Sequence, residues 1–307
     1  RWSPRRCAGL GLLLGLAFLT KMQSYAAFGA ALAALAYDAW RRDLAPRQAL
    51  TPRQVLGRGA LMLGVAALVA APWLVRNGLV YGWDDLLALR RHDAVVAGQL
   101  TTAAHLAQHG LVGSAAAWVI TCFRSFWGQF GWMGVVLPAR IYRTLALLSG
   151  LAALGFAAWL AARRGRFGPA AARAALILGV WAGLAVGGLL WWNTRYWQPQ
   201  GRYLFGALTP LGIAWALGLG HLLRAPRRAI WAVVAAGLLA SLAALALAAR
   251  LDRFTVALWA ASAAALATGR WLDRRAPGLA LALLYAGMAA LAFYCLHWHV
   301  VPALTPG

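Results

Sequence analysis

Apolar runs alternate with short arginine-bearing gaps along most of this chain. Uninterrupted apolar stretches cover about Cys7–Thr20, Tyr25–Trp40 and Gly59–Val75, and then Ile141–Ala162, Ala174–Trp192 and Leu204–Leu223. Three more cover Ala229–Ala249, Phe254–Gly269 and Gly278–Leu296. A helix needs roughly 20 apolar residues to cross the hydrocarbon core. No segment alternates with period two, so a β-barrel is excluded. The pattern predicts an all-α fold: a polytopic transmembrane helix bundle of about nine spans, with residues 1–307 as a single transmembrane domain.

The break in this rhythm is residues 76–140, a long polar-aromatic stretch. Connections of this length are functional or disordered, and the richness in Trp, Phe and Leu argues for order. Trp118, Cys122, Phe126 and Phe130 recur every four residues, with Thr121, Arg124, Ser125 and Gln129 on another face. This predicts an external loop carrying an amphipathic interfacial helix, with Trp127 and Trp132 at the boundary layer. Packing of that helix on the protein's own surface is the alternative. Gly179, Gly183 and Gly187, and on a smaller scale Gly11 and Gly15, are spaced to let neighbouring helices approach closely.

Charge orients the bundle. One set of short loops, from Arg1–Arg6 to Arg270–Arg275, holds 18 arginines, whereas the opposite set holds Lys21, Arg195, Arg202, Arg250 and Arg253. The positive-inside rule then puts the amino terminus in the cytoplasm and the carboxy terminus outside, in an inner or plasma membrane. Residues 76–140 fall outside.

Composition agrees. The 307 residues are 63% hydrophobic, with mean hydropathy +0.66, against about 45–50% apolar residues in soluble domains. A net charge of +22 invites a nucleic-acid reading. That partner is excluded, because the arginines sit in loops between apolar runs and not on a folded basic face. Lys21 is the only lysine and all seven acidic residues are aspartates, a usage that suggests a GC-rich genome. Cys7, Cys122 and Cys295 are too few and scattered for a disulfide framework. The chain begins with Arg1 and no signal peptide precedes the first run, so it reads as the carboxy-terminal part of a longer protein.

No Walker A loop is present. His297 and His299 have the wrong spacing for two ligands on one helix face, while His105 and His109 could clip a zinc ion at i,i+4. The informative residues are cations at the outer surface, where the charge rule disfavours them. Lys21 interrupts two apolar runs, Arg76 follows Pro72-Trp73, and Arg202 opens a later span. Asp84, Asp85, Arg90, Arg91 and Asp93 follow Arg76. Lys and Arg clustered at an interface suit a phosphate or pyrophosphate group; snorkelling to lipid headgroups is the alternative.

Four segments carry a family resemblance. Gly15-Leu16-Ala17-Phe18-Leu19-Thr20-Lys21 resembles the Gly-Leu-Ala-x-x-Thr-Lys segment of the GT-C membrane glycosyltransferases. Pro72-Trp73-Leu74-Val75-Arg76-Asn77, followed by Tyr81-Gly82, is similar to their Pro-Trp-x-x-Arg-Asn…Tyr-Gly segment. Phe123-Arg124-Ser125-Phe126-Trp127-Gly128, with Phe130-Gly131-Trp132, resembles a stretch in bacterial relatives. Gln200-Gly201-Arg202-Tyr203-Leu204-Phe205 resembles their Gln-Gly-Arg-Tyr-Leu-x-Pro helix start, with Gly206 in place of the proline. The segments keep the family's order; beyond Leu223 only generic hydrophobic spans match.

The resemblance, which includes the protein mannosyltransferase and aminoarabinose transferase families, implies a GT-C-like fold. It also implies sugar transfer on the external face from a polyprenyl-phosphate or polyprenyl-pyrophosphate donor. Lys21 and Arg202 would face the donor phosphate with Arg76 nearby. Asp84, Asp85, Arg90, Arg91 and Tyr203 would line the substrate. No nucleotide is implied at the active site, and a divalent cation is the one cofactor left open. The family's catalytic carboxylate lies well upstream of its Thr-Lys segment, but this chain has no acidic residue before Asp38. The general base is therefore expected upstream of Arg1, with Asp84 and Asp85 as weak stand-ins. A transporter or flippase for a lipid-linked sugar and a non-catalytic membrane scaffold are the competing classes.

Overall fold

The computed structural model describes residues 2–21, 24–40, 50–96, 98–224, 232, 235, 239 and 253–305. The expected span at Ala229–Ala249, and Arg41, Arg42, Arg47, Arg227, Arg228 and Arg250, lie outside the described residues or rest on them only in isolated positions.

The described chain is helical apart from one two-residue hairpin. Its helices are α1 (Pro4–Thr20), α2 (Tyr25–Trp40), α3 (Pro52–Tyr81), α4 (Leu89–Val95) and α5 (Thr102–Gly128). Strands β1 (Gln129–Phe130) and β2 (Val135–Val136) precede α6 (Ala139–Ala162) and α7 (Pro169–Trp192). A 3-10 turn (Gly201–Ala207) leads into α8 (Leu208–Arg224). Then come α9 (Arg253–Arg275), α10 (Leu279–Cys295) and the short α11 (Val301–Leu304), the last two joined by a π turn (Leu296–Val300).

Among the described residues six helical segments are long and apolar enough to cross a membrane: α3, α5, α6, α7, the 3-10 turn with α8, and α10 through α11. The chain is a multi-pass helical membrane protein. Nine were expected, and the others are not counted here: Ala229–Ala249 lies largely outside the described residues, and the described parts of α1 and α2 have 17 and 16 residues, at the short end of the range for a spanning helix. Helix α9 carries Arg253, Arg270, Asp273, Arg274 and Arg275. Helix α5, inside the stretch read as a loop, reaches 27 residues with a break at Gly110 (φ 66°, ψ 173°).

Helix α5 buries small residues along the stripe that holds Trp118 and Cys122. Ser114, Cys122 and Ser125 are buried, whereas Leu111, Val112 and Val119 are 76%, 84% and 60% exposed. A helix in water does the reverse. Apolar residues outward and small polar residues inward suit hydrocarbon surroundings.

The chain divides into two compact units, residues 1–122 with 167–210, and 123–166 with 211–307. In the first unit α1 and α3 pack backbone to backbone. A side chain at Gly11 would strike the Met62 carbonyl, and one at Gly15 would meet Ala66 and Val69. Phe18 then meets Trp73 edge-on at 5.7 Å. Both residue numbers climb together, so α1 and α3 are parallel. Helices α2 and α7 are antiparallel: the Tyr25 hydroxyl donates to the Leu184 carbonyl and the Tyr37 hydroxyl to that of Pro169. By contrast, among the described residues nothing lies within 4 Å of a side chain added at Gly179, Gly183 or Gly187, so no described helix uses the glycine repeat of α7 as a close-packing seam.

The second unit is built on α6 and α8, which also touch through glycines, Gly155 against Gly218. Leu151, Ala152, Leu219, Leu222, Leu223, Trp259 and Leu266 form its core. The hairpin is tied down by Tyr142, whose hydroxyl donates to the Gly128 carbonyl (2.6 Å) and accepts from the Leu137 amide (3.1 Å).

Candidate functional site

The helix directions bring three segments of the first unit to one end. Continuing the α1–α3 register past Phe18 and Trp73 carries Lys21 to the level of Arg76. Tyr25, just beyond Lys21, lies against Leu184 and Gly188 near the end of α7, and α7 leads through 193–200 to Arg202. Helix α3 has 30 residues, about 45 Å, longer than a core of about 30 Å.

Lys21 ends α1 in extended backbone (φ −161°, ψ 130°) and is exposed. Among the described residues no carboxylate pairs with it. Arg76 donates to Asn77 Oδ1 (3.1 Å) and to the Tyr81 hydroxyl (2.9 Å), and lies 5.1 Å from the Tyr81 ring centre. Neutral acceptors thus hold its guanidinium. Asn77 is itself buried and donates to the Leu86 carbonyl (3.0 Å), which folds residues 82–88 back over the end of α3. Arg202 Nε donates to Gln200 Oε1 (2.7 Å), and its guanidinium lies 6.0 Å from the Tyr203 ring.

The aspartates have structural assignments. Asp85 is buried and accepts the amides of Arg90 (3.1 Å) and Arg91 (2.9 Å). It thereby caps α4, whose own N-cap, Ala88, sits in the left-handed region at φ 55° with no side chain to offer. Burial works against its ionised form, but the amides of Arg91, Arg90 and Leu89 prevail and hold its carboxyl below the usual range. Asp84 forms an ion pair with Arg90, whose hydrogen bond is the main cause of its lowered carboxyl. Asp93 faces Arg195 at 3.5 Å and His92 at 3.4 Å. Arg91 is exposed beside this pair on α4.

A polar scaffold that the sequence reading passed over positions Arg202 and Tyr203. Gln198 Oε1 accepts from Trp192 Nε1 (3.0 Å) and from the Tyr203 hydroxyl (2.9 Å). Buried Asn193 exchanges hydrogen bonds with the Gln198 backbone (3.0 and 3.2 Å), and its carbonyl accepts from Thr102 Oγ1 (2.7 Å). His92 meets Trp192 edge-on at 5.1 Å. These contacts knit 193–200 to 82–102. The polar run Asn193–Gln200, set between apolar spans, was the available signal.

His105 and His109 do not form an ion clip. Their rings stack at 4.2 Å and 18°, so the in-plane lone pairs run side by side and do not converge. The other face of His105 stacks on Trp197 at 3.6 Å, and its Nδ1 lies 2.9 Å from Ser114 Oγ. Among the described residues no three His, Cys, Asp or Glu side chains gather where they could hold a metal.

The segment Phe123–Trp132 belongs to the second unit and is described there through Tyr142. No family model, curated protein or solved structure matches this chain.

Proposed function

We propose that the Lys21 end of the first unit binds the phosphate of a polyprenyl-phosphate or polyprenyl-pyrophosphate sugar, and that the full-length protein is a GT-C-type membrane glycosyltransferase. What supports this reading is that Lys21, Arg76 and Arg202, each from a different resembling segment, lie on or follow elements that run to the same end of the first unit. The positive-inside rule makes that end external.

In the transfer step a carboxylate takes the proton of the acceptor hydroxyl and the oxygen attacks the anomeric carbon. The bond from that carbon to the phosphate oxygen breaks, and the phosphate leaves with the added negative charge. Cations fixed beforehand at that oxygen stabilise the charge as it grows. Asp84 and Asp85 are poor bases here, since one is paired with Arg90 and the other caps α4. The base is assigned to residues outside these 307.

Transfer from a polyprenyl-phosphate sugar, measured with the full-length protein, tests this. Lys21→Ala and Arg202→Ala each remove a charge-assisted contact worth about 1.5–3 kcal/mol, and so should slow turnover roughly ten- to hundredfold while folding is kept. The 307-residue chain alone should be inactive, because a general base contributes about 10²–10⁴-fold. Full activity of the isolated chain, or unchanged turnover in both variants, would overturn the proposal.

A further inference from the structure

The second unit holds a separate recess that the transferase reading does not use. Helices α6 and α8 run parallel, with Gly155 against Gly218, and diverge at their carboxy-terminal ends. There they open a recess of about 570 Å³, lined by Arg163, Arg166, His221 and Arg224 over a floor that includes Trp159 and Leu281. Among the described residues no carboxylate lines it. Asp273 accepts from Arg224 Nε at 3.3 Å and spends its other oxygen on the Gly278 amide at 2.8 Å. The Arg163 guanidinium lies over the Trp159 ring, 5.2 Å from its centre.

Two helix carboxy termini point into this region and attract cations, but each is worth only about half an elementary charge. Three guanidiniums exceed that by about two charges, and by about one once Asp273 is counted against Arg224. On α9, one turn before Asp273, Arg270 adds a further cation, with Nε and Nη1 buried and no hydrogen-bond acceptor among the described residues. The arginines belong to the loop set that the charge rule places in the cytoplasm, where the leaflet is rich in anionic lipid.

We propose that this recess binds a phosphate group, carried by the headgroup of an acidic phospholipid from the leaflet at that side. Arg163, Arg166 and Arg224 supply planar donors suited to phosphate oxygens, and the apolar floor at Trp159 and Leu281 receives the start of an acyl chain. The site is independent of the Lys21 end and stands if the transferase reading fails.

The test uses the intact chain in mild detergent, supplied with phosphatidylglycerol or phosphatidylcholine and read by native mass spectrometry of retained lipid. Phosphatidylglycerol should be retained and phosphatidylcholine lost. Arg163→Gln with Arg166→Gln leaves the Arg224–Asp273 pair in place and should weaken retention about 25-fold, at about fivefold per cation. Arg143→Gln, at the far end of α6, should stay within about twofold. Equal losses in both variants, or none in the double variant, would overturn the site. Millimolar inorganic phosphate displacing the lipid outright would overturn the lipid as source. A photoactivatable phosphatidylglycerol gives a check that needs no variant. Labelling of residues 159–166 or 216–224 in the wild-type chain supports the site, and labelling confined to other regions contradicts it.

Discussion

The two ends of the first unit handle charge in opposite ways. At one end Asp38 accepts Arg173 through both oxygens (2.7 and 2.9 Å) and Trp2 Nε1 (2.7 Å), while Arg58 donates to the Trp2 carbonyl. One carboxylate thereby ties α2 and α7 to the start of α1, and Trp2 links α1 to α3. At the other end the carboxylates of Asp84, Asp85 and Asp93 are taken up by Arg90, the α4 amides and Arg195. Arg76 rests on neutral Asn77 and Tyr81, and Lys21 has no carboxylate among the described residues. The first end uses its charge to hold helices together. The second holds Arg76 with neutral groups and leaves Arg76 and Lys21 uncancelled by any described carboxylate, which suits a site for an anion.

The comparison predicts different failures at the two ends. Asp38→Ala should show the larger loss of stability. It leaves a half-buried guanidinium without its bidentate partner, at a cost of roughly 1–3 kcal/mol once partial exposure is discounted. Unfolding of the chain in detergent would register it, and an unchanged midpoint would mean that Asp38 does not bind the helices together.

Asp85→Ala should act locally, removing the cap of α4 and speeding amide exchange at Arg90 and Arg91 without moving the global midpoint. Acid should do the same to the wild type. The Asp85 carboxyl is held below its ordinary value, so the cap contributes fully above the unfolded value and is lost as pH falls through the lowered folded one. Protection that disappeared on raising the pH would contradict the assignment. Tyr81→Phe should do least. It takes one of two acceptors from Arg76 and should weaken binding of a polyprenyl phosphate by less than about tenfold, given about 0.5–1.5 kcal/mol for an ordinary hydrogen bond. A loss as large as that from removing Lys21 would make Tyr81 a direct ligand.

Much of this arrangement was legible in the sequence, but not its inward-facing details. The apolar runs gave the helices, and charge counting put Arg58 and Arg173 in one set and Lys21 and Arg202 in the other, as the helix directions also arrange them. The Asp38–Arg173 pair was hidden because its members lie 135 residues apart. The four-residue period in α5 was readable and its Cys122 does turn inward, but the exposure of Leu111, Val112 and Val119 was not, because hydrocarbon does not penalise apolar side chains as water does. The spacing of Gly179, Gly183 and Gly187 matched that of Gly11 and Gly15, but among the described residues only Gly11 and Gly15 meet a neighbouring backbone. Spacing reports what a helix face permits, not what comes to it. The Gln198 and Asn193 network depends on a tight loop folding back on itself, which no periodicity reveals.

The central claim is that Lys21, Arg76 and Arg202 act on one phosphate, and equilibrium binding tests it without requiring the catalytic base. A polyprenyl phosphate titrated onto the detergent-solubilised 307-residue chain should bind at least tenfold more weakly to Lys21→Ala and to Arg202→Ala, from about 1.5–3 kcal/mol per charge-assisted contact. Arg195→Gln, a cation at the same end engaged with Asp93, should stay within about threefold of wild type. Equal weakening in all three variants would mean that these residues merely meet lipid headgroups around the rim, and the account of a phosphate site would be wrong.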